Sequence, residues 1–268
     1  MTSTVLINGT ASDGGIPVTD SAVLRGDGCF EVLKAYGGVA LALDLHLDRL
    51  ERSAAALEIE LPGRGQIASW IGAVASECPD CAVRVVVTRG SALPGDEPSP
   101  LVVVFAHTWE PPSGPARLFP VTAPWHAAGV AWDLAGAKIL SYAPNVSTTR
   151  SARNAGFDDA LLLTVDGSIL EGPTFSVAWV VDGLVETPTL DLGILDSITR
   201  RLLLEDAAGL GIEVVEGVWP LERLRVATEA MALSTIREVQ PISQIGDLAF
   251  GEGPVTSDLR RAFSQRTA

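Results

Sequence analysis

The sequence predicts an α+β fold with mixed sheets, divided into two domains. Segments with the apolar pattern of strands outnumber those with helical spacing, and glycine-containing turns between paired apolar runs predict hairpins. The proline-rich segment EPPSGP, at residues 110–115, interrupts helix and strand alike. We therefore expect a small N-terminal domain over residues 1–112, a linker over 113–120 and a larger C-terminal domain over 121–268.

In the N-terminal part, a first strand ends at the turn Asn8-Gly9, and a hairpin turns at Tyr36-Gly37-Gly38. Asp44 can cap the helix that follows, in which Leu47, Leu50, Ala54 and Leu57 recur at helical spacing. The predicted strands are 4–9, the hairpin 29–44, 82–90 and 101–109, and the predicted helices are 45–59 and 65–77.

In the C-terminal part, hairpins are predicted around Asp166-Gly167 and Asp182-Gly183. A helix that begins at Asp196 or Ser197 has an apolar stripe of period 3.6 and ends at a glycine. The predicted strands are 116–124, 158–172, 175–188, 212–219 and 229–236, and the predicted helices are 145–156, 196–211 and 254–265.

The composition excludes several classes of protein. A net charge of −14 argues against nucleic-acid binding, which needs clustered basic residues. No apolar run reaches the roughly 18 residues that span a bilayer, and the segment MTSTVLINGT lacks the pattern of a signal peptide, so we expect a cytoplasmic protein with no membrane partner. Cys78 and Cys81 form a CPDC stretch without a second ligand pair for zinc, so we expect reduced thiols and no metal.

Lysine is rare in this chain, which uses arginine for all basic residues except Lys34 and Lys138. Only lysine loses its proton readily when it is desolvated, and only its amine forms a Schiff base. Lys138 lies in the apolar stretch GAKIL, so it is either a reactive amine or a surface lysine. Lys34 lies in an alternating strand, where we expect an ordinary lysine that points outward.

Other residues give weaker signals. Ser197, Ile198 and Thr199 begin a helix and form either a phosphate site or a plain cap. Arg49 is either a solvated charge or an arginine turned inward to an anion, and Glu171 is either a turn residue or a carboxylate that holds a proton on a heterocyclic nitrogen. The hydroxyls of Ser234 and Thr235, which end a strand, could add donors to the same phosphate.

Six ordered segments connect these signals. GDGCFEVLKAY, HLDRLERSAAAL, AKILSYAPNVSTTRSARNAGFDDALLL, DGSILEGPTFSV, GILDSITRRLL and LSTIREVQPI resemble the class IV aminotransferases, over about residues 5–245. That family comprises fold-type-IV enzymes that depend on pyridoxal 5′-phosphate: D-amino-acid transaminases, branched-chain aminotransferases and aminodeoxychorismate lyases. The resemblance implies a small N-terminal domain, a larger C-terminal domain and a homodimer.

The resemblance also implies roles for residues. Lys138 is similar to the lysine that forms the Schiff base and moves the Cα proton, and Glu171 to the carboxylate beside the pyridinium nitrogen. Tyr142 resembles the tyrosine near the phenolic oxygen, and Leu195 the leucine against the ring face. The implied phosphate-binding residues are Arg49, Ser197, Ile198, Thr199, Ser234 and Thr235.

Some positions depart from the family pattern. Ser176 stands where an asparagine is usual, Ser197 replaces a glycine, and DSAVLRGDG replaces a more typical DRGxxxGDG. The loop SALPGDEP lacks the Arg-x-His that commonly holds the substrate carboxylate in D-amino-acid transaminases, so Arg25 and Arg89 are the candidates for that role.

We expect a transaminase that acts on a D-amino acid and a 2-oxo acid, with primary (R)-amines as further substrates. The alternatives are aminodeoxychorismate lyase and branched-chain L-amino-acid aminotransferase.

Overall fold

The computed structural model describes residues 4–91 and 93–267. Residues 1–3 of the N-terminal segment and Ala92 of the loop after Arg89 lie outside the described residues. The chain forms two compact units. The first contains the residues up to Glu110 together with Ala137–Tyr142, and the second contains Pro111–Gly136 together with the residues from Ala143 onward. The boundaries of the expected domains and linker stay a prediction.

The first unit is a six-stranded antiparallel sheet with helices packed on it, and its strands follow the order β2-β1-β6-β5-β3-β4. Its elements are β1 (Val5–Ile7), β2 (Thr10–Ser12), α1 (Ser21–Arg25), β3 (Gly28–Tyr36), β4 (Val39–Ala40), α2 (Leu43–Ala56), α3 (Arg64–Glu77), β5 (Ala82–Thr88) and β6 (Leu101–His107).

The helices of the first unit form where the apolar spacing predicts them. In α3, Ile67, Ile71, Val74 and Ala75 form the buried face. Full burial of such an aliphatic side chain contributes about 1.5–3 kcal/mol. Helix α2 begins one residue before Asp44, which lies in the first turn and does not cap the helix as predicted. Such a carboxylate still stabilises the positive end of the helix dipole.

The second unit is an eight-stranded mixed sheet with the order β11-β10-β9-β12-β13-β7-β8, and β14 pairs with β13. Three strand pairs are parallel: β10 with β11, β13 with β7 and β7 with β8. Its elements are β7 (Ala116–Thr122), α4 (Ala143–Asn154), β8 (Asp159–Leu163), β9 (Ser176–Val181), β10 (Leu184–Pro188), α5 (Ile198–Gly209), β11 (Val214–Gly217), β12 (Glu229–Ser234), β13 (Glu238–Ile245), β14 (Leu248–Ala249) and α6 (Pro254–Gln265), with short 3₁₀ helices at Leu190–Leu192 and Leu221–Val226.

The predicted α+β class is confirmed, and the five long helices lie where they were predicted. The short helix α1 was not predicted, because it is only one turn long and depends on its cap: Asp20 Oδ1 accepts a hydrogen bond from the Ala22 N–H at 2.8 Å. After the turn at Asp166-Gly167 the chain returns without forming a regular strand. It pairs with β8 through an isolated bridge between Leu163 and Ile169 and through backbone hydrogen bonds of Leu162 with Leu170 and Glu171.

The prediction that Lys34 points outward as an ordinary lysine is wrong. Its side chain is buried, with 4% exposure. The Nζ atom lies 3.5 Å from the ring centroid of Trp109 and 4.6 Å from that of Tyr36. The rings of Tyr36 and Trp109 therefore cover the side of β3 on which Lys34 lies. Cation–π contacts with these rings compensate for the lost hydration of the ammonium group.

None of the helices among the described residues combines the length and the apolar character that crossing a membrane requires.

Candidate active site

The segment that carries Lys138 is bound by its backbone to β3. The Phe30 N–H donates to the Lys138 carbonyl oxygen at 3.0 Å, and the Leu140 N–H donates to the Gly28 carbonyl oxygen at 2.8 Å. From the other side, the Lys138 N–H donates to Ser53 Oγ on α2 at 3.0 Å. Three hydrogen bonds thus fix the backbone on both sides of the lysine.

Two glycines of the GDG motif allow this close approach. Gly26 ends α1 with φ 71°, and a Cβ atom there would lie 2.6 Å from Ser141 Oγ. A Cβ atom on Gly28 would lie 2.3 Å from the Val87 carbonyl oxygen and 2.7 Å from Leu140 Cδ1. The motif therefore has a steric function, because side chains at these positions would push the lysine segment off the strand.

The Lys138 amine lies among aromatic rings. Its Nζ atom is 4.3 Å from the ring centroid of Phe30 and 5.7 Å from that of Tyr142. The two rings contact each other edge to face, with centroids 5.3 Å apart. Lys138 is half-buried, and the rings of Phe30 and Tyr142 cover one side of its amine.

Next to this segment lies a buried polar cluster formed by Glu31, His46 and Arg49, which we call the Glu31 cluster. Arg49 donates from Nε to Glu31 Oε1 at 2.7 Å and from Nη2 to Oε2 at 2.8 Å. His46 Nδ1 lies 2.7 Å from the same Oε2. The exposed fractions are 1% for Glu31, 3% for His46 and 4% for Arg49, so the cluster is withdrawn from solvent.

The charges of the Glu31 cluster follow from its burial and contacts. Burial alone would raise the pKa of Glu31, but the charge of Arg49 and the hydrogen bonds from Arg49 and His46 outweigh it and lower the pKa to about 2. Burial lowers the pKa of His46, the contact with Glu31 offsets this only in part, and the charges of Arg49 and Lys138 lower it further. At neutral pH the cluster therefore contains one carboxylate, one guanidinium and one neutral imidazole.

This arrangement predicts a loss of stability in acid. The pKa of Glu31 is lowered from 4.5 to about 2 on folding, so its contribution is complete above pH 4.5 and is lost as the pH falls from there towards 2. At 1.36 kcal/mol per pKa unit, the full loss is about 3 kcal/mol. Urea unfolding at several pH values should show that the free energy of unfolding falls more steeply below pH 4.5 in the wild type than in Glu31→Gln. Equal slopes would contradict the assignment.

The two arginines considered for the substrate carboxylate lie in different environments. Arg25 is exposed in the last turn of α1. Arg89 is half-buried and donates from Nε to Asp27 Oδ2 at 2.6 Å, and it also donates to the carbonyl oxygens of Leu57 and Glu58 at the end of α2. Arg89 thus joins the start of β3 to the end of α2, and a substrate carboxylate would have to compete with Asp27.

In the second unit, Glu171 and Leu195 are in contact. The Leu195 N–H lies 3.3 Å from Glu171 Oε1 and 3.4 Å from Oε2, so it donates to the carboxylate. The residue after Glu171 must be a glycine, because a Cβ on Gly172 would lie 2.1 Å from the ring of Phe175. The Phe175 ring therefore packs directly on the backbone that carries the carboxylate.

The start of α5 is a buried, capped helix N-terminus. Ser197 Oγ accepts a hydrogen bond from the Arg200 N–H at 3.3 Å, so Ser197 and not Asp196 is the cap. Ser197, Ile198 and Thr199 are all buried.

Ser234 is the last residue of β12, a strand against which α5 packs, and Thr235 begins the turn that follows. Ser234 Oγ accepts a hydrogen bond from the Arg237 N–H at 3.1 Å. Ser234 and Thr235 are both half-buried.

The structure thus brings together the predicted residues within each unit: Lys138 with Tyr142 in the first, and Glu171 with Leu195 in the second. The sequence analysis missed Phe30, Glu31 and Ser53. The alternation of β3 contained a usable signal for Glu31, because it places Glu31 on the same face as the buried residues Cys29 and Leu33. A carboxylate on a buried strand face requires a cationic partner, and Arg49 is that partner.

Within residues 4–91 and 93–267, no group of three or more His, Cys, Asp or Glu side chains is arranged to hold a metal ion. The thiols of Cys29, Cys78 and Cys81 are free, and Cys81 Sγ donates to the Cys78 carbonyl oxygen at 2.7 Å.

Comparison with known proteins assigns the family. The sequence profile of the family described as amino-transferase class IV matches residues 28–245, which is more than half of the chain. The chain is 31% identical over 263 residues to a putative branched-chain-amino-acid aminotransferase of Methanocaldococcus jannaschii, covering 94% of this chain and 91% of the relative. It is 27% identical over 285 residues to a bifunctional aminodeoxychorismate lyase / D-amino acid transaminase of Mycobacterium tuberculosis, covering 90% and 95%.

The fold is similar to that of solved transaminases. A fold IV-transaminase from Curtobacterium pusillum superimposes with a TM-score of 0.89 and 28% identity, covering 97% of this chain and 99% of that one. The chain belongs to the class IV aminotransferases, the family of pyridoxal-phosphate-dependent enzymes that its motifs resemble.

Proposed function

We propose that this enzyme is a transaminase that moves an amino group between a D-amino acid and a 2-oxo acid, with Lys138 as the catalytic residue. The observation that carries the proposal is the placement of Lys138. Its backbone is fixed by three hydrogen bonds, and its Nζ lies 4.3 Å from the Phe30 ring centroid. The amine of an ordinary surface lysine extends into water instead.

The donor groups of each unit fit pyridoxal phosphate. The first unit contributes a half-buried primary amine, Lys138, and a buried guanidinium, Arg49. The second contributes the carboxylate of Glu171 and the hydroxyl-bearing start of α5 at Ser197. These are the groups that this cofactor requires. The amine binds its aldehyde, the carboxylate binds its ring nitrogen, and the cation and the helix N-terminus bind its phosphate.

Each residue then has a chemical task. When bound, pyridoxal phosphate supplies an electron-withdrawing ring that stabilises negative charge on the substrate Cα. Lys138 would hold the cofactor through its amine, and the same amine, once the amino group of the substrate has displaced it, would carry the proton between Cα and the neighbouring carbon. Glu171 keeps a proton on the ring nitrogen, and its contact with the Leu195 N–H orients the carboxylate. With the cofactor bound, Tyr142 would donate a hydrogen bond to its phenolic oxygen, and Leu195 would pack against its ring.

The phosphate is assigned to two sets of donors. In the first unit Arg49 supplies the guanidinium. In the second unit the N–H groups and hydroxyls at the start of α5 are favoured by the helix dipole. The residues proposed for this second set are Ser197, Ile198, Thr199, Ser234 and Thr235.

The choice of a D-amino acid is supported by the motifs and by the name of the Mycobacterium tuberculosis relative, which includes D-amino acid transaminase activity. The same name supports aminodeoxychorismate lyase as an alternative. The name of the Methanocaldococcus jannaschii relative supports branched-chain L-amino acids as another. All three reactions use the same proton transfer at Cα, so they differ in the substrate and in the fate of the product.

The substrate range extends to primary (R)-amines in this proposal. Arg25 and Arg89 are the candidates for the substrate carboxylate. Arg89 already binds Asp27 at 2.6 Å, which leaves Arg25 as the exposed guanidinium of the two. If neither arginine holds the substrate carboxylate, the pocket accepts amines that lack a carboxylate. We also propose a homodimer and a cytoplasmic location, on the basis of the family resemblance and the sequence.

The test is a half-reaction with the enzyme loaded with pyridoxal phosphate and no acceptor present. D-Alanine should convert the bound cofactor to its amine form and release one pyruvate per site, both measurable by absorbance and by a pyruvate assay. A primary (R)-amine should convert the cofactor in the same way and release the corresponding ketone.

The alternatives give different results in the same assay. L-Leucine converting the cofactor faster than D-alanine would support the branched-chain activity. Pyruvate released from aminodeoxychorismate, with the cofactor left in its aldehyde form, would support the lyase. Loaded enzyme that D-alanine leaves unchanged would contradict the proposed function.

A further inference from the structure

Two members of the Glu31 cluster have no role in the proposed mechanism: His46 and, at the centre of the cluster, Glu31. Its carboxylate is 1% exposed and accepts three hydrogen bonds, two from Arg49 and one from His46. The imidazole is neutral and the carboxylate is ionised, so His46 donates from Nδ1. Three donors therefore converge on two carboxylate oxygens.

Stability alone does not explain a carboxylate at this place. The desolvation free energy of two buried opposite charges offsets much of their Coulombic attraction. A protein with well-packed apolar residues in place of the ion pair is therefore often equally stable. The cluster also lies on the two elements that hold Lys138. Phe30, the neighbour of Glu31 on β3, donates to the Lys138 carbonyl oxygen, and Ser53, one turn after Arg49 on α2, accepts from the Lys138 N–H.

We propose that Glu31 is a positioning residue for the cofactor phosphate: its carboxylate fixes the Arg49 guanidinium in one orientation before the cofactor binds. This inference rests on the proposed function, in which Arg49 binds the phosphate. Arginine has a long and flexible side chain, so a guanidinium that is already ordered loses less entropy on binding.

The negative charge of Glu31 and its contacts with Arg49 have opposite expected effects on phosphate binding, so an experiment can separate them. The negative charge of Glu31 repels a phosphate, so removal of that charge alone would strengthen phosphate binding. Removal of the positioning contacts would weaken it. Glu31→Gln removes the charge and also replaces an acceptor oxygen by an amide NH₂ that faces the Arg49 and His46 donors.

The experiment measures the dissociation constant of pyridoxal phosphate for the full-length apo-protein in phosphate-free buffer. Glu31→Gln should weaken binding of pyridoxal phosphate about tenfold and leave binding of pyridoxal, which has no phosphate, within about twofold of wild type. A variant that was only destabilised would not separate the two ligands.

Glu186 offers a matched control in the second unit. Glu186 is 3% exposed. Its carboxylate accepts bidentate hydrogen bonds from Arg223 and a further hydrogen bond from Trp179 Nε1 at 2.7 Å. Glu186→Gln thus breaks a similar buried arrangement that does not include Arg49, and it should leave both dissociation constants unchanged. Thermal unfolding of both variants reports the cost to the fold.

Unchanged or tighter binding of pyridoxal phosphate to Glu31→Gln would overturn the inference, and so would equal weakening of pyridoxal. If Glu31→Gln does not fold, Glu31→Asp replaces it: the charge is kept and the carboxylate is withdrawn by one methylene. Weaker binding of pyridoxal phosphate to Glu31→Asp supports positioning, and unchanged binding overturns it. A wild type that does not bind pyridoxal phosphate would instead contradict the proposed function.

Discussion

Replacing Lys138 by arginine is expected to lower the turnover number by about 10³-fold, the contribution of a positioned acid–base group. Arginine keeps the positive charge and can keep the contact with the Phe30 ring, whose centroid lies 4.3 Å from Lys138 Nζ. It cannot bind the cofactor aldehyde, and it does not lose its proton at neutral pH. The measurement is steady-state transamination of D-alanine with a 2-oxo acid at saturating pyridoxal phosphate.

Lys34→Arg is the matched control, since Lys34 is the other lysine of the chain. Its Nζ lies 3.5 Å from the Trp109 ring centroid, and a guanidinium stacks well on such a ring. We expect this variant to retain turnover within about threefold. If Lys138→Arg retained turnover within tenfold of wild type, the role of Lys138 would be contradicted.

The next largest effect is expected for Glu171→Gln, which should lower turnover by about 10²-fold. The amide oxygen can still accept a hydrogen bond from the Leu195 N–H, which lies 3.3 Å from the carboxylate in the wild type, so the local structure is kept. A neutral amide does not stabilise a proton on the ring nitrogen, and the ring then withdraws less electron density from Cα.

Glu213→Gln removes an exposed carboxylate from the same unit and should leave turnover unchanged. The rate of Cα proton exchange from labelled D-alanine measures the affected step directly. If Glu171→Gln and Glu213→Gln exchanged this proton equally fast, Glu171 would not hold the ring nitrogen.

The sequence was sufficient to predict most of the fold, because the elements are regular. The buried face of α3, at Ile67, Ile71 and Val74, follows the helical period. The β-branched residues Val83, Val85, Val86 and Val87 lie in β5, a central strand that pairs with β3 on one side and with β6 on the other. The one-turn helix α1 escaped prediction, because a cap at Asp20 and five residues do not form a period.

Side-chain partners across elements were harder to predict. Lys34 was expected to point outward, and the structure places it against Trp109, which lies 75 residues later in the chain. Arg49 was expected either in solvent or turned to an anion, and the anion in the structure is Glu31, 18 residues earlier. A strand and a helix that are separately regular do not specify, without their packing, which polar side chains meet.

Recognition of the substrate depends on contacts between different elements more than binding of the cofactor does. The residues proposed for the cofactor belong to local motifs, and the GDG turn allows Leu140, two residues after Lys138, to approach Gly28. The resemblance assigns no carboxylate-binding role to Arg25 or Arg89, because the Arg-x-His pattern that would carry that role is absent. The competition between Asp27 and a substrate for Arg89 becomes visible only in the folded chain.

The most direct test of the central role of Lys138 uses the scarcity of lysine in this chain. Borohydride reduction of the enzyme loaded with pyridoxal phosphate, followed by peptide mass spectrometry, should place the cofactor on the peptide that contains Lys138, at one label per chain. Only Lys34 and Lys138 offer a lysine amine, so the two outcomes are separated by a single digest. Label on Lys34, or no label on either lysine, would contradict the account.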